Sequence, residues 1–220
     1  MEALPPRGLA AEEACTVLRI DEIAGDVFVL ELGNPPQFQP GQCVSLALAR
    51  GDQARYYSVA SRPGGTSFSV LFDLVVDGHV TPKLAALSVG QTVFRSPAFG
   101  SFTEPAGRRS IWWIATGTGV APFLSMESEG RTLVCGARAP ELLLFRDYFQ
   151  RALGGNYIQC TTRAQDAATY PGRLTRYLQE TDLSGDYYML CGSAGMVVDV
   201  REILLRRGVP FSDISSEIYF

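Results

Sequence analysis

The pattern of the sequence changes once, near Glu104-Pro105-Ala106-Gly107, and that change constrains the fold more than any other feature. Before it, apolar or alternating runs at residues 15–20, 27–32, 43–48, 55–60 and 67–74 are parted by turn sequences such as Asn34-Pro35-Pro36 and Arg62-Pro63-Gly64-Gly65. Short runs bounded by Gly, Pro, Asn and Asp read as strands, and their close spacing predicts an antiparallel barrel or sandwich. One segment breaks the rule: Val80, Leu84 and Leu87 share a helical face, and Gly90 ends it. After the boundary, apolar runs at 111–115, 132–136, 157–161 and 187–191 alternate with helical stretches at 120–127, 141–153, 174–180 and 194–207. That alternation predicts a parallel sheet covered on both faces, with the tail 212–220 as its last strand. The expected organisation is two-domain: an antiparallel β-barrel over 1–104, then an α/β domain with a five-stranded parallel sheet over 105–220.

Composition excludes several classes. A formal net charge of −4 gives no whole-chain support for a nucleic-acid partner. The five cysteines are widely spaced, with no CxxC and no iron–sulfur ligand run, which suits a reducing compartment better than a disulfide framework. A single histidine, His79, rules out a multi-histidine metal site, so no metal is expected. No apolar run long enough to span a bilayer and no signal-peptide pattern is present, and the expectation is a soluble, cytoplasmic protein, a monomer without membrane insertion.

Two segments carry chemistry. Ala115-Thr116-Gly117-Thr118-Gly119-Val120-Ala121-Pro122 follows a strand and opens a helix, so its glycines let backbone approach a ligand and its free N–H groups suit phosphate. An ordinary tight turn between strand and helix reads the same way, because this is not GxGxxG. Arg55-Tyr56-Tyr57-Ser58 places a guanidinium, aromatic rings and a hydroxyl on one extended run, able to pair a phosphate, stack on a planar ring and hydrogen-bond a ring nitrogen. Alone, an exposed amphipathic strand explains it equally.

The combination is more specific. Arg55-x-Tyr57-Ser58, Gly78-x-x-Thr81, Gly117-Thr118-Gly119-x-x-Pro122 and Cys191-Gly192-x-x-x-Met196 occur in this order and spacing. Together they resemble the ferredoxin–NADP reductase family, and the stretch Asp77-Gly78-His79-Val80-Thr81-Pro82-Lys83-Leu84 is similar to its compact bacterial ferredoxin/flavodoxin reductases.

The resemblance implies an FAD barrel, an NADP(H) domain and ferredoxin or flavodoxin as a separate electron carrier. It implies that Arg55 and Tyr56 help bind FAD, that Tyr57 lies along the isoalloxazine and that Ser58 bonds near flavin N5. Leu71, Phe72, Asp73 and Leu74 would run beside the flavin, while His79, Val80 and Thr81 would hold the pyrophosphate and Thr118 would reach the flavin from the second domain. Thr116, Gly117, Gly119, Val120 and Pro122, with Cys191, Gly192, Ser193 and Met196, would bracket the nicotinamide half, Cys191 tuning its approach. The C-terminal aromatics would return to a bent FAD: Tyr219 on the isoalloxazine, moving aside for hydride transfer, and Phe220 on the adenine, with Glu217 assisting proton or electron transfer.

Arg138, Arg163 and Arg173 end two strands and open a helix, so they are expected together at the carboxyl edge of the sheet, where α/β ligands bind. The matching positions of the bacterial relatives bind the NADP 2′-phosphate; three solvated surface arginines are the alternative. Arg50, Arg62, Lys83 and Arg95 are the barrel-side cations available to an acidic carrier. One alternative keeps the flavin and changes the acceptor, as a reductase component serving an oxygenase or other redox partner. The other is a non-catalytic sensor of flavin or nucleotide.

Overall fold

In the computed structural model, which describes residues 10–219, the chain divides into two compact units, one of residues 1–103 with 121–126, the other of 104–120 with 127–220. The short helix that follows the glycine turn, residues 121–125, therefore packs with the first unit although its sequence neighbours belong to the second.

The first unit is built on β1 (Glu13–Ala24), β2 (Val27–Gly33), β3 (Cys43–Ala47), β4 (Arg55–Ser58), β5 (Ser67–Asp73) and β6 (Thr92–Arg95), with the helix α1 (Thr81–Ala85) between the last two. The strands form one antiparallel sheet in the order β4-β3-β6-β1-β2-β5. A bridge between Val59 and Val70 joins its two edges, and the Ala60 N–H donates to the Ser69 carbonyl at 2.7 Å, so the sheet closes as a barrel. Closure removes the unpaired edges that an open sheet would expose. β1 serves two partners: residues 13–16 pair with β6 and 17–24 with β2, with register shifts that let the strand turn the corner. Gly25 and Asp26, both at positive φ, form the two-residue turn between β1 and β2, the geometry whose twist matches the flanking strands. Side chains pointing inward, among them Val17, Leu30, Leu46, Phe68, Phe72 and Leu84, fill the barrel.

The second unit carries β7 (Ile111–Thr116), β8 (Arg131–Ala137), β9 (Tyr157–Thr161), β10 (Thr169–Pro171), β11 (Tyr187–Ser193) and β12 (Ile214–Tyr219). Every adjacent pair is parallel, in the order β10-β9-β8-β7-β11-β12. Helices α3 (Arg146–Leu153), α4 (Leu174–Glu180) and α5 (Ala194–Arg206) connect strands of this unit, and α2 (Ala121–Ser125) is the segment given up to the barrel unit. β7 is almost wholly buried, as a central strand covered on both faces must be. Arg131 donates to both carboxylate oxygens of Glu104, and the Trp113 indole donates to Glu104 Oε1 at 3.0 Å, tying the start of the unit to two sheet strands.

Three expectations need correction. The parallel sheet has six strands, not five, because β10 adds three residues at one edge, and Pro171 cannot donate further to the ladder. Helix α3 begins at Arg146 rather than near residue 141, since Phe145 takes a left-handed conformation (φ 54°) that breaks the helical run. Arg95 does not belong to a docking surface: its side chain is 4% exposed, bonded to Glu13 and to the carbonyls of Asn34 and Ser96.

All five cysteines are free and buried. Burial pushes the Cys15 thiol up to about 11 and the Cys135 and Cys160 thiols up to about 12, so the reactive thiolate is scarce at neutral pH. Native protein at pH 8 is expected to show no rapidly reacting thiol in a Ellman-type assay and all five after denaturation; a fast native thiol would contradict this packing.

Candidate functional site

Each unit presents its own constellation. In the barrel, β4 lies opposite β3, with Tyr57 facing Val44 and Ser58 facing Cys43. Arg55 and Tyr56 at its start are exposed, while Tyr57 and Ser58 are buried. The Ser58 hydroxyl and the Cys43 thiol lie 3.4 Å apart. Arg55 has no carboxylate partner among the described residues, so its charge is available to an anion.

The two tyrosines differ. Tyr57 is 8% exposed, its ring packed edge-on to Phe72 at 6.2 Å, and its hydroxyl is buried without a hydrogen-bond partner. Burial pushes this phenol up to about 12, against the opposing charge of Arg55, so it remains a neutral donor through the physiological range. Such an orphaned hydroxyl costs about 1–3 kcal/mol unless a ligand satisfies it. Tyr56 is 45% exposed and offers the larger open aromatic surface, with Phe99 edge-on at 5.1 Å.

The neighbouring strand end completes this region. Leu71 and Phe72 are buried, Leu74 is half-buried and Asp73 is exposed. His79 is exposed and Val80 buried at the start of α1, where the Thr81 hydroxyl accepts from the Val75 N–H at 2.9 Å and fixes the turn between. Val75 and Val76, which follow Leu74, are 54% and 77% exposed.

In the second unit the strand order reverses between β7 and β11, with β8, β9 and β10 to one side and β12 to the other. Ligands of such sheets bind outside the carboxyl ends of the strands at this reversal. There the turn Gly117–Val120 meets Cys191–Ser193. A Cβ on Gly119 would stand 2.2 Å from the Cys191 carbonyl oxygen, and one on Gly192 (φ 141°) would stand 2.5 Å from Thr116 Oγ1. The Thr116 hydroxyl in turn accepts from the Ser193 N–H at 3.4 Å. Thr118 and Val120 are buried, as are Pro122 of α2, Cys191 and, at the start of α5, Met196.

β12 runs beside β11, pairing Glu217 with Cys191 and Tyr219 with Ser193. Ile214 and Ile218 pack on the cluster that includes α4 and α5, so strand alternation turns Glu217 and Tyr219 to the opposite face. Phe220 lies outside the described residues, and its expected adenine contact with it.

The three arginines come together at the carboxyl edge. The Arg163 and Ala164 N–H groups donate to the Arg138 carbonyl at 2.8 and 3.2 Å, and Arg173 precedes α4, directly after Gly172 donates to the Thr161 carbonyl at 2.8 Å. All three side chains are exposed, and none is ion-paired among the described residues. Two cavities of about 280 and 290 Å³ lie elsewhere, one lined by Asp186, Tyr188, Arg207 and Asp213 at the opposite sheet edge, the other by Pro35, Phe38 and Pro63 on the barrel.

A closed antiparallel barrel with an Arg-x-Tyr-Ser strand, joined to a parallel sheet with a glycine turn at its reversal, defines the class of two-unit reductases. Comparison with known proteins agrees. The chain is 30% identical over 208 residues to ferredoxin–NADP reductase B of Sorangium cellulosum (strain So ce56), covering 83% of this chain and 85% of that protein. It is 29% identical over 192 residues to the toluate 1,2-dioxygenase electron transfer component of Pseudomonas putida, covering 80% of this chain and 57% of that one. The crystal structure of a ferredoxin NADP+ reductase from Neisseria gonorrhoeae with bound FAD and NADP superposes with a TM-score of 0.84 at 24% identity, covering 94% of this chain and 98% of that one, a likeness of fold. No family model matches. The chain belongs to the ferredoxin–NADP reductase family of oxidoreductases.

The glycine contacts are directly testable. Gly119→Ala and Gly192→Ala each force backbone apart and are expected to cost on the order of 3 kcal/mol. Urea unfolding measures this, and a loss below about 0.5 kcal/mol, the scale of a surface substitution, would show that the two turns are not in close contact.

Proposed function

We propose that the protein is an FAD-dependent oxidoreductase that exchanges electrons between NADP(H) and a ferredoxin or flavodoxin. The observation that carries this reading is the barrel strand Arg55–Ser58, where an unpaired guanidinium stands beside a buried phenol whose hydroxyl has no partner within the described protein. Those groups fit FAD: Arg55 a phosphate, Tyr56 and Tyr57 a planar ring system, Tyr57 Oη a hydrogen-bond acceptor, and Ser58 the region of the reacting ring nitrogen. FAD, when bound, supplies acceptance of a hydride and release of single electrons, and the protein supplies placement and electrostatics.

The residues then have distinct tasks. Leu71, Phe72, Leu74, Val75 and Val76 exclude water along the barrel side of the cofactor, while His79, Val80 and Thr81 border its phosphates. The close-packed glycine turns hold Thr116–Val120 and Cys191–Ser193 as one surface for the nicotinamide, with Cys191 as a contact and no covalent partner, consistent with its burial. Arg138, Arg163 and Arg173 read the 2′-phosphate, for which three unpaired guanidinium groups at one sheet edge are suited. Tyr219 and Glu217 belong to the flavin side of this reading, Tyr219 as the aromatic that yields to nicotinamide and Glu217 as a proton or electron relay. On the barrel, Arg50, Arg62 and Lys83 are among the exposed cations and are the candidates for an acidic carrier.

A second reading, a reductase component serving an oxygenase, is favoured by the likeness to the dioxygenase electron transfer component. Steady-state reduction of ferredoxin, flavodoxin and an oxygenase-type ferredoxin with NADPH separates the two: the preferred carrier should show the highest kcat/KM, and indifference among all three would contradict a dedicated carrier.

Ser58→Ala tests the strand assignment. A lost hydrogen bond to a reacting centre is worth about 1.5–3 kcal/mol, roughly 10- to 100-fold in rate. Ferricyanide reduction by NADPH is expected to fall by that factor while FAD affinity, followed by flavin fluorescence, stays near wild type. An unchanged rate would remove Ser58 from the reaction centre.

A further inference from the structure

The segment 162–168 between β9 and β10 is exposed throughout, yet it carries Arg163 and is held at both ends. At its start, the Arg163 and Ala164 N–H groups share the Arg138 carbonyl. At its far end, the Asp166 carboxylate meets the Arg146 guanidinium at 2.6 Å and accepts from the Ala168 N–H at 3.0 Å, while the Asp166 backbone N–H donates to the Thr169 hydroxyl at 3.0 Å. Arg146 is itself anchored: its Nε donates at 2.6 Å to Oε1 of the buried Gln159, whose amide donates at 2.7 Å to Gln150 Oε1. The chain from Asp166 through Arg146 and Gln159 to Gln150 therefore fastens an exposed loop to a buried strand and to helix α3.

The backbone just before Arg146 is strained. Phe145, the residue before it, is an aromatic at φ 54°, ψ 32°, a conformation rarely adopted by bulky side chains and kept only where the surroundings over-determine it. Around it, the Arg146 N–H donates to the Leu143 carbonyl at 3.2 Å and the Phe149 N–H to the Phe145 carbonyl at 3.0 Å, and the Arg146 side chain adds the ion pair and the Gln159 bond. Ion pairs as exposed as this one contribute little to global stability, so stability alone does not account for the strain.

We propose that Arg146 and Asp166 are positioning residues for the phosphate-reading edge, holding the 162–168 loop so that Arg163 stays beside Arg138 in the geometry that takes a 2′-phosphate. The inference rests on the reading of Arg138, Arg163 and Arg173 as that edge. Neither positioning residue touches the nucleotide; Arg146 acts through Asp166 and the loop backbone, and the pair selects for the phosphorylated nucleotide by fixing where a guanidinium stands.

Charge and placement are separated by a double variant. Arg146→Gln with Asp166→Asn removes the ion pair while leaving net charge unchanged and preserving an amide oxygen for the turn at Ala168. Calorimetry of the purified protein would use ADP-ribose and its 2′-phosphate as probes, so the readout needs neither bound flavin nor turnover. The double variant is expected to weaken the 2′-phosphorylated probe about 5-fold and ADP-ribose by less than about 2-fold, with faster hydrogen exchange over 162–168. A purely structural defect would weaken both probes alike, and that result overturns the proposal. So does a wild-type affinity ratio in the double variant while Arg163→Ala lowers it, because the edge would then read phosphate without the pair. If Arg163→Ala also leaves the ratio unchanged, the arginine-edge reading fails and takes this inference with it.

Discussion

Gly119 lies against the carbonyl of Cys191 so closely that a single methyl group would overlap it, and Gly192 stands in the same relation to Thr116. Much of the second unit follows from these two contacts. They bring the turns after β7 and β11 together where the strand order reverses. Only residues without Cβ permit it, and at Gly192 the left-handed backbone adds a second reason for glycine. The parallel register of β7, β11 and β12 then fixes what surrounds these turns, down to Glu217 beside Cys191 and Tyr219 beside Ser193.

The barrel solves a different problem. A cofactor strand must be rigid, yet it must leave polar groups unsatisfied until the ligand arrives. Under the proposed function β4 would do this by being half buried along its length: Tyr57 and Ser58 are buried, while Arg55 and Tyr56 are exposed. The closing bridge between Val59 and Val70 directly follows the strand, so barrel closure and the placement of Ser58 are the same event. The orphaned Tyr57 hydroxyl is the cost of that preorganisation, and ligand binding would offset it.

The change of pattern near Glu104 and the alternation that predicts a parallel sheet were readable from residue order, because each reflects a local rule of period or turn chemistry. The four short motifs, in contrast, gain meaning only through their resemblance to a family. What escaped is equally specific. β6 and β10 are four and three residues long, too short for a period to register, and β10 contains a proline that reads as a break. The late start of α3 depends on a positive φ at Phe145 that no propensity suggests. Arg95 looked like a surface cation, but its guanidinium satisfies the carbonyls of Asn34 and Ser96 and pairs with Glu13, and Asn34 and Glu13 are both far from it in sequence. Arg146 and Asp166, twenty positions apart, became neighbours only once β9 and α3 were placed.

The central claim is that the Arg55–Ser58 strand and the glycine turns serve one electron path from NADPH through FAD. Anaerobic rapid mixing of the FAD-loaded protein with NADPH, followed at the flavin absorbance band, tests it most directly. Prompt bleaching with NADPH and much slower bleaching with NADH is the result this account predicts. A chain that takes up no FAD, or whose bound flavin neither nucleotide reduces, would contradict it.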